Sequence, residues 1–314
     1  MKQINDKKYT LVETEEINQL ARENPARLIA DSEAYYNDQV MNAAKLIRKA
    51  GGRYKFVLLC GPSASGKTTT AHKLKHRLVA QGIGAGVVSM DNFFMGMDSY
   101  PLLPDGNPDM ESIEAVDMEL LNQTFEKLLS TGGSKFPVFD FTTQTRHLEH
   151  QEMALGEKDV LIMEGIHALN PAVLRDIPRD RVFRLYVSVR SRFINGDRRI
   201  LDPKEIRLVR RMVRDHKFRN YAPTQTLDYW HNVIASEKVN INPYRDDVDL
   251  KMDNTLDYEV CVWHEMLQSL LQSIQVGDYS EYPQLEHIFD ALLHFEELNH
   301  ELIPKNSLLR EFIG

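Results

Sequence analysis

The chain of 314 residues contains only two cysteines, Cys60 and Cys261. They are far apart and each lies inside an apolar run, so buried thiols in a reducing compartment are favoured over a disulfide or a metal pair. No window approaches the roughly 18 consecutive apolar residues of a membrane helix. The first ten residues, MKQINDKKYT, have no apolar core of the kind a secretory signal carries. We therefore expect a cytoplasmic protein with no membrane partner.

Positively charged residues are also fewer than negatively charged ones. Lysine and arginine number 38 against 46 aspartate and glutamate residues, which gives a formal net charge of −8. A nucleic-acid-binding domain is usually basic overall, so we expect no nucleic-acid partner. What the chain does contain is 42% hydrophobic and 27% charged residues, ordinary proportions for a globular protein. Its length allows one large domain or two modest ones.

Short apolar runs alternate with helical patterns along the chain. Helical spacing of apolar residues predicts helices over residues 14–50 (interrupted at Pro25), 67–80, 113–129 and 202–217. The predicted strands are YKFVLLC (54–60), VVSM (87–90), DVLIMEGI (159–166), RVFRLYVSV (181–189) and TLDYEVCVW (255–263). This alternation favours an α/β three-layer sandwich with a mostly parallel sheet. In such folds, ligands bind at the carboxyl ends of the strands.

The stretch GPSASGKTTT (61–70) follows the first of these strands and opens a predicted helix. Gly61, Gly66, Lys67 and Thr68 fit the pattern G-x-x-x-x-G-K-[ST] of a phosphate-binding loop. Small side chains let backbone N–H groups converge on phosphate oxygens, and the helix N-terminus adds partial positive charge. Lys67 would reach the β- and γ-phosphates of ATP, and the Thr68 hydroxyl would ligate Mg²⁺. The predicted phosphate-binding residues of the loop are Gly61, Pro62, Ser63, Ala64, Ser65, Gly66, Lys67, Thr68 and Thr69.

Two acids stand at the ends of neighbouring predicted strands. Asp91 follows VVSM and Glu164 ends LIME. One carboxylate is needed near Mg²⁺ and another to take the proton from an attacking hydroxyl. We assign Asp91, with Lys67, to catalysis and Glu164, with Thr68, to the metal, although the two acids could share these roles. An acid that merely caps a turn after a strand is the alternative for each.

The segment RLVRRMVRDHKFRN (207–220) is strongly basic. Residues three and four apart share a helix face, so Arg207, Arg210, Arg211 and Arg214 form one positive stripe. This pattern favours a mobile lid that closes over the phosphates, with Arg210, Arg211 and Arg214 as phosphate ligands. A solvated face and an RNA-contacting helix are the alternatives.

Together these motifs resemble the uridine kinase and phosphoribulokinase family. GPSASGKTT, SMDNFF, ESIEAVD, FPVFDFTTQTR, VLIMEGIHAL and RLVRRMVRD occur in that family's order. Bacterial uridine kinase-like proteins are also similar at YAPTQTLDYW, INPYRDDVDLKMDN and SLLREFIG. The resemblance implies transfer of the ATP γ-phosphoryl group to a hydroxyl, which in the uridine kinase branch is the 5′-hydroxyl of a nucleoside. It also implies Asp91 as the catalytic aspartate, Glu164 as the metal-associated acid and the arginine helix as the lid.

The same resemblance indicates the acceptor site. Glu111 falls where uridine kinases carry an aspartate that binds the ribose hydroxyls. Phe139 and Gln144 stand where they carry a pyrimidine-contacting tyrosine and a histidine, so polar readout of the base is reduced. Gln144 could still pair with a base edge through its amide. The predicted acceptor residues are Glu111, Phe139, Phe141, Gln144 and Arg146.

Several functions are weighed against a nucleoside kinase. A GTPase is disfavoured because the chain has no N/T-K-x-D motif. A nucleoside monophosphate kinase needs arginines more than a base, so Asp91 argues against it. A kinase of a sugar phosphate or another alcohol is the close competitor, and a non-catalytic ATP-binding regulator is the alternative from another class.

The expected domain organisation has three parts. Residues 1–50 form a helical extension, residues 51–275 the P-loop kinase domain with a lid at about 198–245, and residues 276–314 a second helical extension. The extensions pad the sheet or make contacts in a homo-oligomer; the sequence leaves both open.

Overall fold

The computed structural model describes residues 9–104, 106–140, 143, 145–173, 175–271 and 282–314. The strands in this part of the chain are β1 (Thr10–Glu13), β2 (Phe56–Cys60), β3 (Ala85–Ser89), β4 (Gly133–Asp140), β5 (Thr145–Ala154), β6 (Val160–Gly165), β7 (Val182–Ser188), β8 (Ser191–Asn195), β9 (Arg198–Leu201) and β10 (Leu250–Asp253). The helices are α1 (Thr14–Glu23), α2 (Pro25–Lys49), α3 (Lys67–Val79), α4 (Met118–Thr131), α5 (Pro203–Arg219), α6 (Pro223–Ser236), α7 (Val260–Leu271), α8 (Pro283–Leu292) and α9 (Arg310–Ile313).

A five-stranded sheet in the order β10-β7-β2-β6-β3 forms the centre of the fold, and all its pairings are parallel. Strand β2 lies in the middle and every one of its residues is buried. Successive side chains on a strand point to opposite faces, so an entirely apolar strand requires a covered sheet on both sides. The predicted α/β fold with a mostly parallel sheet is therefore confirmed.

Two hydrophobic clusters cover the two faces of this sheet. Val57 and Leu59 of β2 belong to the cluster that contains α3, α5 and α7. Phe56 and Leu58 belong to the other, which contains Phe125 of α4. Because the parallel strands all run the same way, their carboxyl ends meet at one edge, and the loops of the site described below start there.

The longer N-terminal helix, α2, packs directly on α3, the helix that follows the phosphate loop. Helix α1 ends at Glu23, and α2 begins at Pro25. Asn24 between them caps α2, because its side chain accepts a hydrogen bond from the backbone N–H of Arg27. Tyr36 of α2 is fully buried, and its hydroxyl lies 2.9 Å from Oγ1 of Thr70 in α3. The described part of the predicted 1–50 extension thus shares one hydrophobic cluster with the central sheet.

Two smaller sheets were not predicted from the sequence. Strands β4 and β5 form an antiparallel hairpin, and β1 pairs with β8, which in turn pairs with β9. The strand predicted over residues 255–263 is wrong: a 3₁₀ turn at Asp257–Glu259 leads into α7, and the last strand of the main sheet is β10, just before it. A short apolar run cannot be distinguished by its pattern from the start of a buried helix.

Other predictions depend on parts of the chain that are only partly described. The predicted boundary near residue 275 lies outside the described residues. None of the helices in the described ranges combines the length and the apolar composition needed to cross a bilayer.

Helix α5 lies within the core rather than over it. Ten of its 17 residues are buried. Arg210 is fully buried, and its Nε and Nη2 donate to the two carboxylate oxygens of Glu259, each at 2.7 Å. This pair joins α5 to the turn that precedes α7. The lid over residues 198–245 stays a prediction.

We expect Glu259→Gln to lower the free energy of unfolding by about 3 kcal/mol, because it leaves the Arg210 charge buried without a counter-charge. The matched control is Asp31→Asn, which breaks the exposed pair that Asp31 makes with Arg27 on α2 and should cost under about 1 kcal/mol. Urea unfolding of the two variants measures the difference. Equal losses in the free energy of unfolding of the two variants would show that the buried pair stabilises the fold no more than the exposed pair does.

Candidate active site

The loop between β2 and α3 has the geometry of a phosphate-binding loop. It leaves the sheet at Gly61, where a Cβ atom would collide with the backbone oxygen of Val187 on β7 and lie 2.7 Å from Oγ of Ser65. It enters α3 at Gly66, whose φ of +78° is in the left-handed region. The two glycines of the motif are therefore required by the backbone itself. The loop turns on itself in between, with the Ser65 N–H donating to the Pro62 oxygen at 3.3 Å.

Lys67 and Thr68 lie at the first turn of α3, and Glu164 faces them from β6. Nζ of Lys67 donates to the Pro62 oxygen at 3.1 Å, and the Thr68 hydroxyl donates to Oε1 of Glu164 at 3.2 Å. Glu164 is in register with Leu59 of β2 and Ser89 of β3, which sets its carboxylate at the carboxyl edge of the sheet. A hydroxyl and a carboxylate next to a phosphate loop form an oxygen donor set that suits Mg²⁺.

Asp91 lies on the wall of a cavity of about 580 Å³ in front of the loop. It is held in a 3₁₀ turn directly after β3, and its N–H donates to Oγ of Ser89. Burial raises the pKa of Asp91, and the nearby Lys67 cation opposes this rise. Burial likewise raises the pKa of Glu164 to about 7, with the Asp91 charge adding to the effect. The two predicted acids therefore share one electrostatic environment beside the loop.

The opposite wall of the cavity is built around Arg211 of α5. Its Nη1 donates to Oγ of Ser63 in the loop at 3.0 Å and to Oε1 of Glu111 at 3.2 Å. Its Nε donates to Asp215, one turn further along the helix. One guanidinium thus connects the phosphate loop to the predicted acceptor-binding acid. Two more arginines of this region line the same cavity and also pair with Asp215, namely Arg214 and Arg219.

Two further arginines support the loop from behind. Arg207 donates to the Ser63 oxygen at 3.0 Å and pairs with Glu237, both of them buried. Arg210 donates to the Ala64 oxygen at 3.3 Å. Both guanidinium groups therefore bond main-chain oxygens of the loop.

The prediction of Arg210 as a phosphate ligand is corrected. Besides its bond to the loop and its pair with Glu259, Arg210 donates to the Asn254 oxygen at 2.8 Å. Its guanidinium is fully buried, and Arg210 is not among the residues that line the cavity.

The predicted acceptor residues divide into three groups. Glu111 lines the cavity. Phe139 and Arg146 do not: Phe139 is buried edge-on against Phe94, and Arg146 pairs with Asp117 at 3.0 Å. The predictions for residues 141 and 144 fall outside the described residues.

Several residues that line the cavity were not predicted from the sequence. They are Phe94, Tyr100, Met110, Ile166, Phe218, Arg219, Asn220 and Tyr221. Most belong to loops that follow strands or helices, where apolar side chains have no periodic pattern. Asn220 at φ +56° ends α5 and turns Tyr221 back toward the site, and an asparagine after a basic helix was the signal for such a cap.

Comparison with known proteins agrees with this geometry. The profile of the Phosphoribulokinase / Uridine kinase family matches residues 56–260, which is more than half of the chain and includes the loop, both acids and α5. The chain belongs to this family. The predicted resemblance is therefore confirmed, and the protein is a P-loop kinase.

Individual relatives are more distant. The uridine kinase of Lactobacillus johnsonii is 26% identical over 219 residues, which cover 69% of this chain and 93% of the relative. The uridine kinase of Staphylococcus haemolyticus is 26% identical over 176 residues, which cover 56% and 75%. A solved structure of a "Possible Uridine Kinase" from Bacillus stearothermophilus is 21% identical, with a TM-score of 0.47, and covers 69% of this chain and 98% of its own.

The raised pKa of Glu164 predicts how stability depends on pH. Its carboxyl group titrates at about 7 in the folded protein against an ordinary value of 4.5, so folding favours the protonated form. The associated stability is complete below pH 4.5 and is lost as the pH rises through 7, by up to about 3 kcal/mol. Glu164→Gln mimics the protonated side chain and removes this dependence. We expect the stability of the metal-free variant relative to the wild type to increase from pH 4.5 to about pH 8 in chemical unfolding. A difference that is constant over this range would contradict the assigned pKa.

Proposed function

We propose that the protein transfers the γ-phosphoryl group of ATP, with Mg²⁺, to the hydroxyl of a small molecule, and that this acceptor is the 5′-hydroxyl of a nucleoside. The observation that carries the proposal is that Lys67, Asp91 and Glu111 line one cavity in front of a phosphate loop. Relatives named uridine kinase, 26% identical to this chain, support a nucleoside as the acceptor.

The phosphate groups of ATP would be held by the loop. The backbone N–H groups of the loop and of the first turn of α3 supply donors, and Lys67 supplies a positive charge that can follow the transferred group. Thr68 and Glu164 would hold Mg²⁺. When bound, this ion neutralises charge on the phosphates and helps to align them. Before the ion binds, the hydrogen bond between Thr68 and Glu164 orients both side-chain oxygens.

Asp91 would act as the general base. A carboxylate must accept the proton of the attacking hydroxyl, and it does so more readily when its pKa lies closer to the working pH. Burial moves the pKa of Asp91 in that direction. The Lys67 cation opposes this rise of the pKa, and the Lys67 and Asp91 side chains line the same cavity.

Glu111 would bind the hydroxyls of the acceptor sugar. Its Oε1 already accepts from Arg211, which fixes the direction of the carboxylate. The cavity also has apolar walls against which a flat base can pack, formed by Phe94, Tyr100, Met110 and Ile166. An alcohol that carries a phosphate is the competing acceptor, because Arg214 and Arg219 line the same cavity and would suit an anion.

A panel of acceptors separates these two classes. ADP release is measured with ribonucleosides, sugar phosphates and simple polyols, each with Mg²⁺ and ATP. Stimulation by nucleosides supports the proposal, and stimulation by sugar phosphates alone would replace it with the competing acceptor. Release of ADP that no alcohol stimulates would contradict the proposed kinase reaction and favour a regulator.

Replacing the base should remove turnover but not nucleotide binding. We expect Asp91→Asn to lower kcat with the acceptor about 10²- to 10⁴-fold while the Kd for ATP changes little. Asp98→Asn, at an exposed position in the next turn of the chain, is the matched control and should keep normal kcat. Near-normal turnover in Asp91→Asn would assign the base to another residue.

Replacing the acceptor-binding acid should affect the acceptor alone. We expect Glu111→Gln to raise the KM for the acceptor about tenfold, because a charge-assisted hydrogen bond becomes a neutral one. Glu114→Gln, at an exposed position in the following turn, is the control. If Glu111→Gln raised the KM for ATP and for the acceptor equally, its role would be to hold Arg211 against the loop.

A further inference from the structure

The C-terminal segment, residues 307–314, lies directly on the phosphate loop. Leu308 is fully buried, and a Cβ atom added to Gly66 would lie 2.6 Å from its Cδ1. Glycine at position 66 is therefore needed for two reasons: it permits the left-handed backbone conformation, and it leaves space for the Leu308 side chain. Leu308 belongs to the same hydrophobic cluster as Ala64 of the loop.

Glu311 of the same segment occupies donors of the phosphate loop. Its Oε2 accepts from the Thr69 backbone N–H at 3.0 Å and from the Thr69 hydroxyl at 2.6 Å. Helix α3 begins after Gly66, which has no side chain to cap the first turn. The free N–H groups at a helix start need acceptors. Here the carboxylate of a residue 242 positions away in the sequence supplies one.

Specific contacts hold this segment in place. It begins at Ser307, whose Oγ lies 2.8 Å from the hydroxyl of the buried Tyr258. Phe312 is fully buried, and the Arg210 guanidinium lies 5.1 Å from the centre of its ring. The segment thus contacts the same helix, α5, that supports the loop from behind.

A bound triphosphate needs the donors that Glu311 now holds. In a phosphate loop, the backbone N–H groups at the start of the helix cradle the α- and β-phosphates. A carboxylate and a phosphate are both anions, and the two cannot share one N–H donor without strong repulsion. The contacts of Glu311 and of the nucleotide with Thr69 therefore exclude each other.

We propose that residues 307–314 are an intramolecular competitor of the nucleotide, in which Glu311 occupies the Thr69 donors until the triphosphate displaces it. The proposal rests on the proposed function only in taking a triphosphate as the ligand of the loop. Displacement requires a local shift of Glu311 away from α3. The energetic cost of that shift lowers the apparent affinity for ATP and ties nucleotide binding to the position of the C-terminal segment.

Calorimetric titration of Mg²⁺-ATP into the full chain without acceptor tests the competition. We expect Glu311→Gln, which keeps the size of the side chain and removes its charge, to lower the Kd for ATP about tenfold relative to the wild type. Glu301→Gln is the matched control, since Glu301 is an exposed acid of the same C-terminal region and its replacement should leave the Kd unchanged. An unchanged or higher Kd in Glu311→Gln would overturn the proposal and make Glu311 a structural cap.

Hydrogen exchange of the wild type provides a second readout that does not depend on a variant's folding. We expect Mg²⁺-ATP to speed amide exchange in residues 307–314 while it slows exchange in the phosphate loop. Exchange in the segment that stays the same or slows would contradict displacement. If ATP binds but no acceptor is phosphorylated, only the proposed kinase reaction is contradicted. If ATP binds neither the wild type nor the Glu311→Gln and Glu301→Gln variants, the kinase reaction and the competition are both overturned.

Discussion

The structure depends on backbone N–H groups that must converge on an anion at the end of the central strand. That requirement sets Gly61 against Val187 and puts Gly66 in the left-handed region. Two arginines of α5 also bond main-chain oxygens of the loop, Arg207 at Ser63 and Arg210 at Ala64. The loop is thus bonded to buried groups of the neighbouring helix.

Charge is the second constraint on the site. Asp91 and Glu164 are acids at adjacent strand ends, and burial raises the pKa of both. Lys67 offsets part of this cost, and a bound Mg²⁺ would offset more. The same logic applies to α5, where acids pair with each buried arginine: Glu237, Glu259 and Asp215. These arginines of the basic segment thus form buried ion pairs, and their guanidinium groups also bond the phosphate loop.

The sequence was sufficient for the parts of the fold that have strong local signals. The phosphate loop, the buried strands 54–60 and 159–166, and the acids at strand ends could be predicted because each combines a motif with its strand or helix context. Burial of Arg210 could not be predicted, because its partner Glu259 is 49 residues away and the pairing is tertiary. The contact between Glu311 and Thr69 could not be predicted for the same reason, because the segment SLLREFIG alone does not indicate which residues it packs against.

The central claim is that the loop amides and Lys67 bind the phosphates of ATP. Titration calorimetry of the wild type and of Lys67→Ala with Mg²⁺-ATP tests it most directly, because no acceptor has to be known. The account predicts one nucleotide bound per chain and an affinity at least about tenfold lower in Lys67→Ala. Absence of binding to the wild type, or equal affinity in the two proteins, would contradict it.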